Sequence, residues 1–168
     1  MKKIALKFIV LFILPVSVFA QNPAVVKQQA TVVANALFKS DYKTIVDHTY
    51  PKAVAMGGGK EKMLQMMTTG INQMKAQGFV FEKVTIGAAG KFYKAGNEIH
   101  CIIPESLVMK TPQGRFATTS SLLCVSGDGG KNWSFLDLNR GTINSVKTIF
   151  PNFNSNLVIP TPQVPKKL

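Results

Sequence analysis

The stretch that decides the fold is Glu98–Lys110 (EIHCIIPESLVMK), Thr111–Gly114 (TPQG) and Arg115–Ser126 (RFATTSSLLCVS). In its first limb Ile99, Cys101, Ile103, Leu107 and Met109 fall on one side of an extended chain, the alternation of a half-buried strand. Thr111–Gly114 then places Pro at the second and Gly at the fourth position of a turn. Arg115–Ser126 is the return strand, so the stretch is a long antiparallel hairpin. Its register decides the fate of Cys101 and Cys124, the only two cysteines. A plain two-residue turn at Pro112-Gln113 sets them face to face, within reach of a disulfide. A type I turn with a bulge at Gly114 sends them to opposite faces. Both registers are open at this level.

Outward from the hairpin, more short extended segments appear. Phe79–Ile86 is β-branched and aromatic between Gly78 and Gly87, Lys91–Lys94 leads into a turn at Ala95-Gly96-Asn97, and Trp133–Leu138 is the last long strand. The N-terminal side reads differently. Asn22-Pro23 is a helix start, and Val26, Ala30, Val33 and Leu37 follow at helical spacing. A second helix opens at Ser40-Asp41 and stops at Tyr50-Pro51, because the residue before proline avoids the helical region. Val54–Gly59 reads as a loop. A third helix runs from about Lys60 to Gln77 with a stripe of Met63, Met66, Met67, Ile71 and Met74. Thr142–Phe150 reads as one short helix. The expected fold class is therefore α+β, with three N-terminal helices packed on one face of a curved antiparallel sheet of four to six strands.

Residues 1–20 carry Lys2 and Lys3, an apolar run from Ile4 to Val18, and small residues at Val18 and Ala20 before Gln21. This is the pattern of a secretory signal peptide cut between Ala20 and Gln21, and the run is too short and too Pro-broken for a spanning helix. The domain reading is residues 1–20 as signal peptide, 21–150 as a single α+β domain, and 151–168, with Pro151, Pro160, Pro162 and Pro165, as an extended C-terminal tail. The expected location is periplasmic or extracellular, in solution. The whole chain has a formal charge of +12; taking three Lys from its 20 bases, against eight acids, leaves +9. Arg115 and Arg140 are the only arginines and the lysines are scattered, so nothing resembles a nucleic-acid reader. Weak attraction to anionic surfaces is the most that this charge implies.

The element order resembles the cone-shaped fold of the nuclear-transport-factor-two-like superfamily, which includes ketosteroid isomerase, scytalone dehydratase and the polyketide cyclases. The residues that carry the likeness are Ser40-Asp41-Tyr42-Lys43-Thr44-Ile45-Val46 between the first two helices, and the strands Phe79–Ile86, Glu98–Lys110, Arg115–Ser126 and Trp133–Leu138. Tyr50-Pro51-Lys52, Gly58–Met63 and Ile99–Pro104 resemble small exported bacterial members of unassigned activity. The likeness spans roughly residues 23–140. Many members have a strand between the second and third helices, where this chain has Val54–Gly59. The resemblance implies an apolar pocket enclosed by sheet and helices. It assigns no catalytic residue here, since no position matches a catalytic motif of the family.

Ser126-Gly127-Asp128-Gly129-Gly130-Lys131-Asn132-Trp133 resembles the Asp-box hairpin. A structural turn of Ser126, Asp128, Gly130 and Trp133 is the expected role, with the Asp128 side chain accepting backbone amides, the glycines permitting positive φ and Trp133 packed beneath. Gly57-Gly58-Gly59-Lys60 lacks the spacing of a phosphate loop. Thioethers can bind Cu(I), but methionines at helical spacing fit a core or an adaptable pocket better. No metal site and no cofactor are read. Met63, Met67, Met74 and Tyr50 are the candidate ligand-binding residues. Asp47, His48, Tyr42 and Tyr50 are the candidates for proton chemistry.

These features favour an exported, non-catalytic binding domain for a small apolar or amphipathic ligand or an envelope protein partner. The alternatives are an isomerase- or dehydratase-like enzyme and an envelope inhibitor of immunity type. A homodimer is left open.

Overall fold

The structure, a computed structural model, describes residues 21–139 and 143–168. Residues 1–20, for which a signal peptide cut after Ala20 is expected, lie outside the described residues. The described chain is α+β: five helices packed against a six-stranded antiparallel sheet.

Helix α1 (Pro23–Phe38) starts as the sequence dictates: Asn22 Oδ1 accepts from the Ala24 amide at 2.9 Å, and Pro23 occupies the first turn, where no amide is needed. Asp41 caps α2 (Tyr42–Asp47), accepting from the Thr44 amide at 3.1 Å. The expected loop at Val54–Gly59 is corrected. α2 stops at Asp47, and Pro51 opens a further helix, α3 (Pro51–Met56), so four helices rather than three precede the strands. The reason is local: Tyr50 is extended, as a residue before proline should be, and Pro51 then sits at the position of a helix that best tolerates it. Gly59, at φ +95°, redirects the chain into α4 (Lys60–Ala76).

The strands are β1 (Val80–Ile86), β2 (Tyr93–Ala95), β3 (Glu98–Thr111), β4 (Gly114–Ser126), β5 (Ser134–Asp137) and β6 (Lys166–Lys167). Four lie in the order β1-β3-β4-β5, with β2 on β3 and β6 on β4. The β3–β4 ladder runs from Thr111↔Gly114 to Ile99↔Ser126 without a shift, so the turn is the plain two-residue type and Gly114 takes φ +126°. Cys101 therefore stands opposite Cys124; both thiols are free and wholly buried.

Two cores flank the sheet. On the front, Val26, Ala30 and Ala34 of α1 meet Cys101, Ile103, Leu122, Cys124, Trp133 and Phe135. On the back, Leu123, Val125 and Leu138 meet Val146 and Ile149 of α5 (Val146–Ile149), then Phe150 and Leu157. The C-terminal helix α5 thus lies on the face of the sheet opposite α1. The proline-rich segment 151–168 also belongs to the fold: Leu157 is buried and Lys166–Lys167 extend the sheet beside Phe116 and Ala117. Tail residues pack because Ile102, Leu123 and Val125 belong to a second apolar face, which among the N-terminal helices α3 meets through Ala53.

Candidate functional site

Helix α4 differs from every other long element in burying no residue completely. Met63, Met67 and Met74 are half-buried and Met66 is 61% exposed. The space they leave is a cavity of about 770 Å³ between α1, α2, α4 and the front of the sheet. Leu37, Met63, Met67, Met74, Leu122 and Phe135 form much of its wall. The methionine stripe has the spacing of a packed helix, yet it faces a void instead of a filled core. Thioether chains suit such a place, since they reshape around different contents.

The polar groups of the wall are few: His48, Thr49, Glu105, Asp137 and Asn139, with no Lys or Arg among the described residues. Glu105 lies opposite Ser120 on β4 and Ile86 on β1. Burial pushes its carboxyl up to about 7; the negative charge of Asp137 adds to the rise, and a hydrogen bond with Ser120 opposes it. Asp137 in turn accepts a hydrogen bond from Asn139 Nδ2 at 3.1 Å.

Met63, Met67 and Met74 therefore come together at the cavity, with His48 beside them. The other sequence candidates do not join them. Asp47 forms ion pairs with Lys43 and Lys60, which hold its carboxyl down at about 2. Tyr42 is buried, with its hydroxyl 3.5 Å from Lys75 Nζ. Tyr50 does not line this cavity, because it lies on the back of the sheet, where it lines a smaller cavity with Glu98 and His100. The chain runs beside β5 here, the Tyr50 amide donating to the Phe135 carbonyl at 3.0 Å, so Thr49 enters the front cavity and Tyr50 leaves on the far side. Its hydroxyl donates to Glu98 Oε1 at 3.0 Å, and Glu98 Oε2 lies 3.0 Å from His100 Nε2. Burial, followed by Glu98, pushes the Tyr50 phenol up to about 12. His100 is 1% exposed and rests against Phe150 and Phe153.

The Ser126–Trp133 turn is built from its own side chains. Asp128 Oδ1 accepts the amides of Lys131 and Asn132 at 3.1 and 3.0 Å, Ser126 Oγ accepts that of Gly130 at 2.9 Å, and Trp133 Nε1 donates to the Gly130 carbonyl at 3.0 Å. Gly129 and Gly130 take positive φ. Gln29 of α1 clasps the turn from outside, its Oε1 2.8 Å from the Trp133 amide. Among the described residues no group of three or more His, Cys, Asp or Glu is placed to hold a metal ion, and no helix is long and apolar enough to cross a membrane.

Glu105 and Asp137 are the cavity residues that sequence reading passed over. The signal was present for Glu105: it occupies the step between Ile103 and Leu107 in an otherwise apolar alternation. Asp137 is placed by the β4–β5 register, opposite Leu122, which no local pattern announces. Comparison of the chain with known protein families, curated proteins and solved structures finds no match.

Proposed function

We propose that this protein is an exported binding domain that holds a small apolar or amphipathic molecule between α4 and the sheet. One observation carries the reading: a cavity of about 770 Å³ with a predominantly apolar wall, roofed by a helix that buries none of its own residues completely. That volume is in the range of small-molecule sites, which are mostly apolar with a few convergent polar groups. A chain that had only to fold would gain by closing such a space, at roughly 25 cal/mol per Å² of apolar surface removed from water.

The test uses Gly70, in the middle of α4. It lines the cavity, and a Cβ built there meets nothing within 4 Å. Gly70→Phe should plug the site without straining the backbone. Native mass spectrometry of the wild type, purified from its own cell envelope, should show a retained small molecule. The variant should lose it and still unfold in a single cooperative transition. Wild-type protein that is bare in every preparation overturns the reading.

A second reading, proton-transfer chemistry of the isomerase or dehydratase kind, is favoured by the near-neutral Glu105 carboxyl in an apolar wall. It would use Glu105 with His48, in place of Asp47, Tyr42 and Tyr50. Recovery of the bound molecule as two interconverting isomers, or as a hydrated and dehydrated pair, in wild-type but not Glu105→Gln protein would support it.

A further inference from the structure

Helices α2 and α4 lie side by side and antiparallel. Lys60 Nζ meets Asp47 Oδ1 at 2.6 Å at one end, and Lys75 Nζ meets Ser40 Oγ at 3.0 Å at the other. His48, which caps the end of α2, therefore stands against the first turns of α4, where Met63 and Met67 share one face a turn apart. All three side chains line the front cavity. We propose that His48, Met63 and Met67 form a site for a soft monovalent metal ion, Cu(I), at this end of the cavity. The site goes beyond the small-molecule reading above and does not depend on it.

A backbone carbonyl fixes the tautomer of His48. Its Nδ1 lies 2.9 Å from the Thr44 oxygen, which can only accept, so Nδ1 carries the proton. In the neutral ring Nε2 then holds a bare lone pair, and it has no hydrogen-bond partner among the described residues. A metal-ligating histidine is oriented in this way, through its other nitrogen. The thioethers add a second, independent observation. Met63 and Met67 are not packed into a core; both are half-buried on a helix that buries none of its residues completely. Met74 lies about 10 Å further along α4 than Met67 and stays outside the set. Thioethers favour Cu(I), whereas Zn(II) takes nitrogen, thiolate or carboxylate. The neighbouring carboxylate, Asp47, is already held by Lys43 and Lys60. The thiols of Cys101 and Cys124 are softer donors still, but both are wholly buried. His48 also borders a smaller, more polar cavity beside Asp128 and Ser134, which gives a hydrated ion an approach.

Ag(I) stands in for Cu(I) and is stable in air, so NMR can read the wild-type side chains directly. One equivalent of Ag(I) should shift the ε-methyl signals of Met63 and Met67 and the ring nitrogens of His48. The methyl of Met109, which pairs with Phe116 on the hairpin, should not move. Without oxygen, the reduced protein should take one Cu(I) per chain from its bicinchoninate complex, and excess Zn(II) should not displace it. His48→Gln and Met63→Leu, the second a swap that nearly conserves volume, should each weaken Cu(I) binding by about tenfold or more, since a lost ligand costs at least what a lost outer partner does. Any of four results overturns the site: His48 unmoved by Ag(I), the shifts carried by Cys101 and Cys124 instead, Cu(I) left on the chelator or displaced by Zn(II), or Cu(I) affinity unchanged in either variant. The first two need no variant. None of the four bears on the retained small molecule by which the other reading is tested.

Discussion

Glu105 has a consequence for stability. Its carboxyl is raised from 4.5 to about 7 in the folded protein, so the native state holds this proton more tightly than the unfolded chain. The associated stability is fully present below pH 4.5 and is lost as pH rises through 7. At its largest it is about 3 kcal/mol, from 1.36 kcal/mol per tenfold difference in proton affinity. Urea unfolding at a series of pH values should show this decline between pH 5 and 7 in the wild type and a flatter profile in Glu105→Gln. Asp128 has the opposite sign. The Asn132 amide and further donors hold its carboxyl down at about 2, so its contribution persists above pH 4 and disappears only in strong acid. The two residues separate by pH. One was legible in the sequence, because Ser126, Asp128, Gly130 and Trp133 act within a single turn. The other was written as a single charged step in an apolar alternation, and its meaning depended on what the facing helix leaves uncovered.

At the scale of elements, the C-terminal segment and the long hairpin matter most. Leu157 is 4% exposed and packs in the back core with Phe150 and Leu123. Leu157→Ala should cost about 2–4 kcal/mol, the usual result of emptying a buried leucine site, measured by denaturant unfolding. A value near zero would detach the segment from the domain. In the hairpin, Cys101 and Cys124 share a register position beneath α1, and burial, with help from the neighbouring thiol, pushes the Cys124 thiol up. Reduced protein should therefore resist maleimide in its native state and take up two equivalents once unfolded, read by mass. Rapid native labelling would contradict the register. Strands β1 to β5 were readable, since alternation and turn residues are local. Helix α3 was not, because Pro51 reads as a stop for the preceding helix, whereas it stands in the first turn of the next one.

For the whole molecule, the unequal packing of its two faces predicts its dynamics. The back core and α1 are closed, whereas α4 covers a void and contributes no fully buried side chain. Amide exchange should be fastest in Lys60–Ala76 among the long elements, and slower there by tenfold or more with the cavity occupied, as a cavity filler supplies the contacts the helix lacks. Equal protection of α1 and α4 in the empty protein would show that the roof is not loose.

By itself the sequence determined the α+β class, the helix caps at Asn22 and Asp41, the hairpin and the Asp-box-like turn. Each is specified by residues within a few steps of one another, where propensity and hydrogen bonding act directly. Only the tertiary structure decided between the two registers at Gly114, laid the segment 146–157 on the back of the sheet, and left an acid-lined cavity beneath the methionines. Those outcomes depend on which apolar faces find a partner across the fold, and a surface left without one has no signature in the local chain.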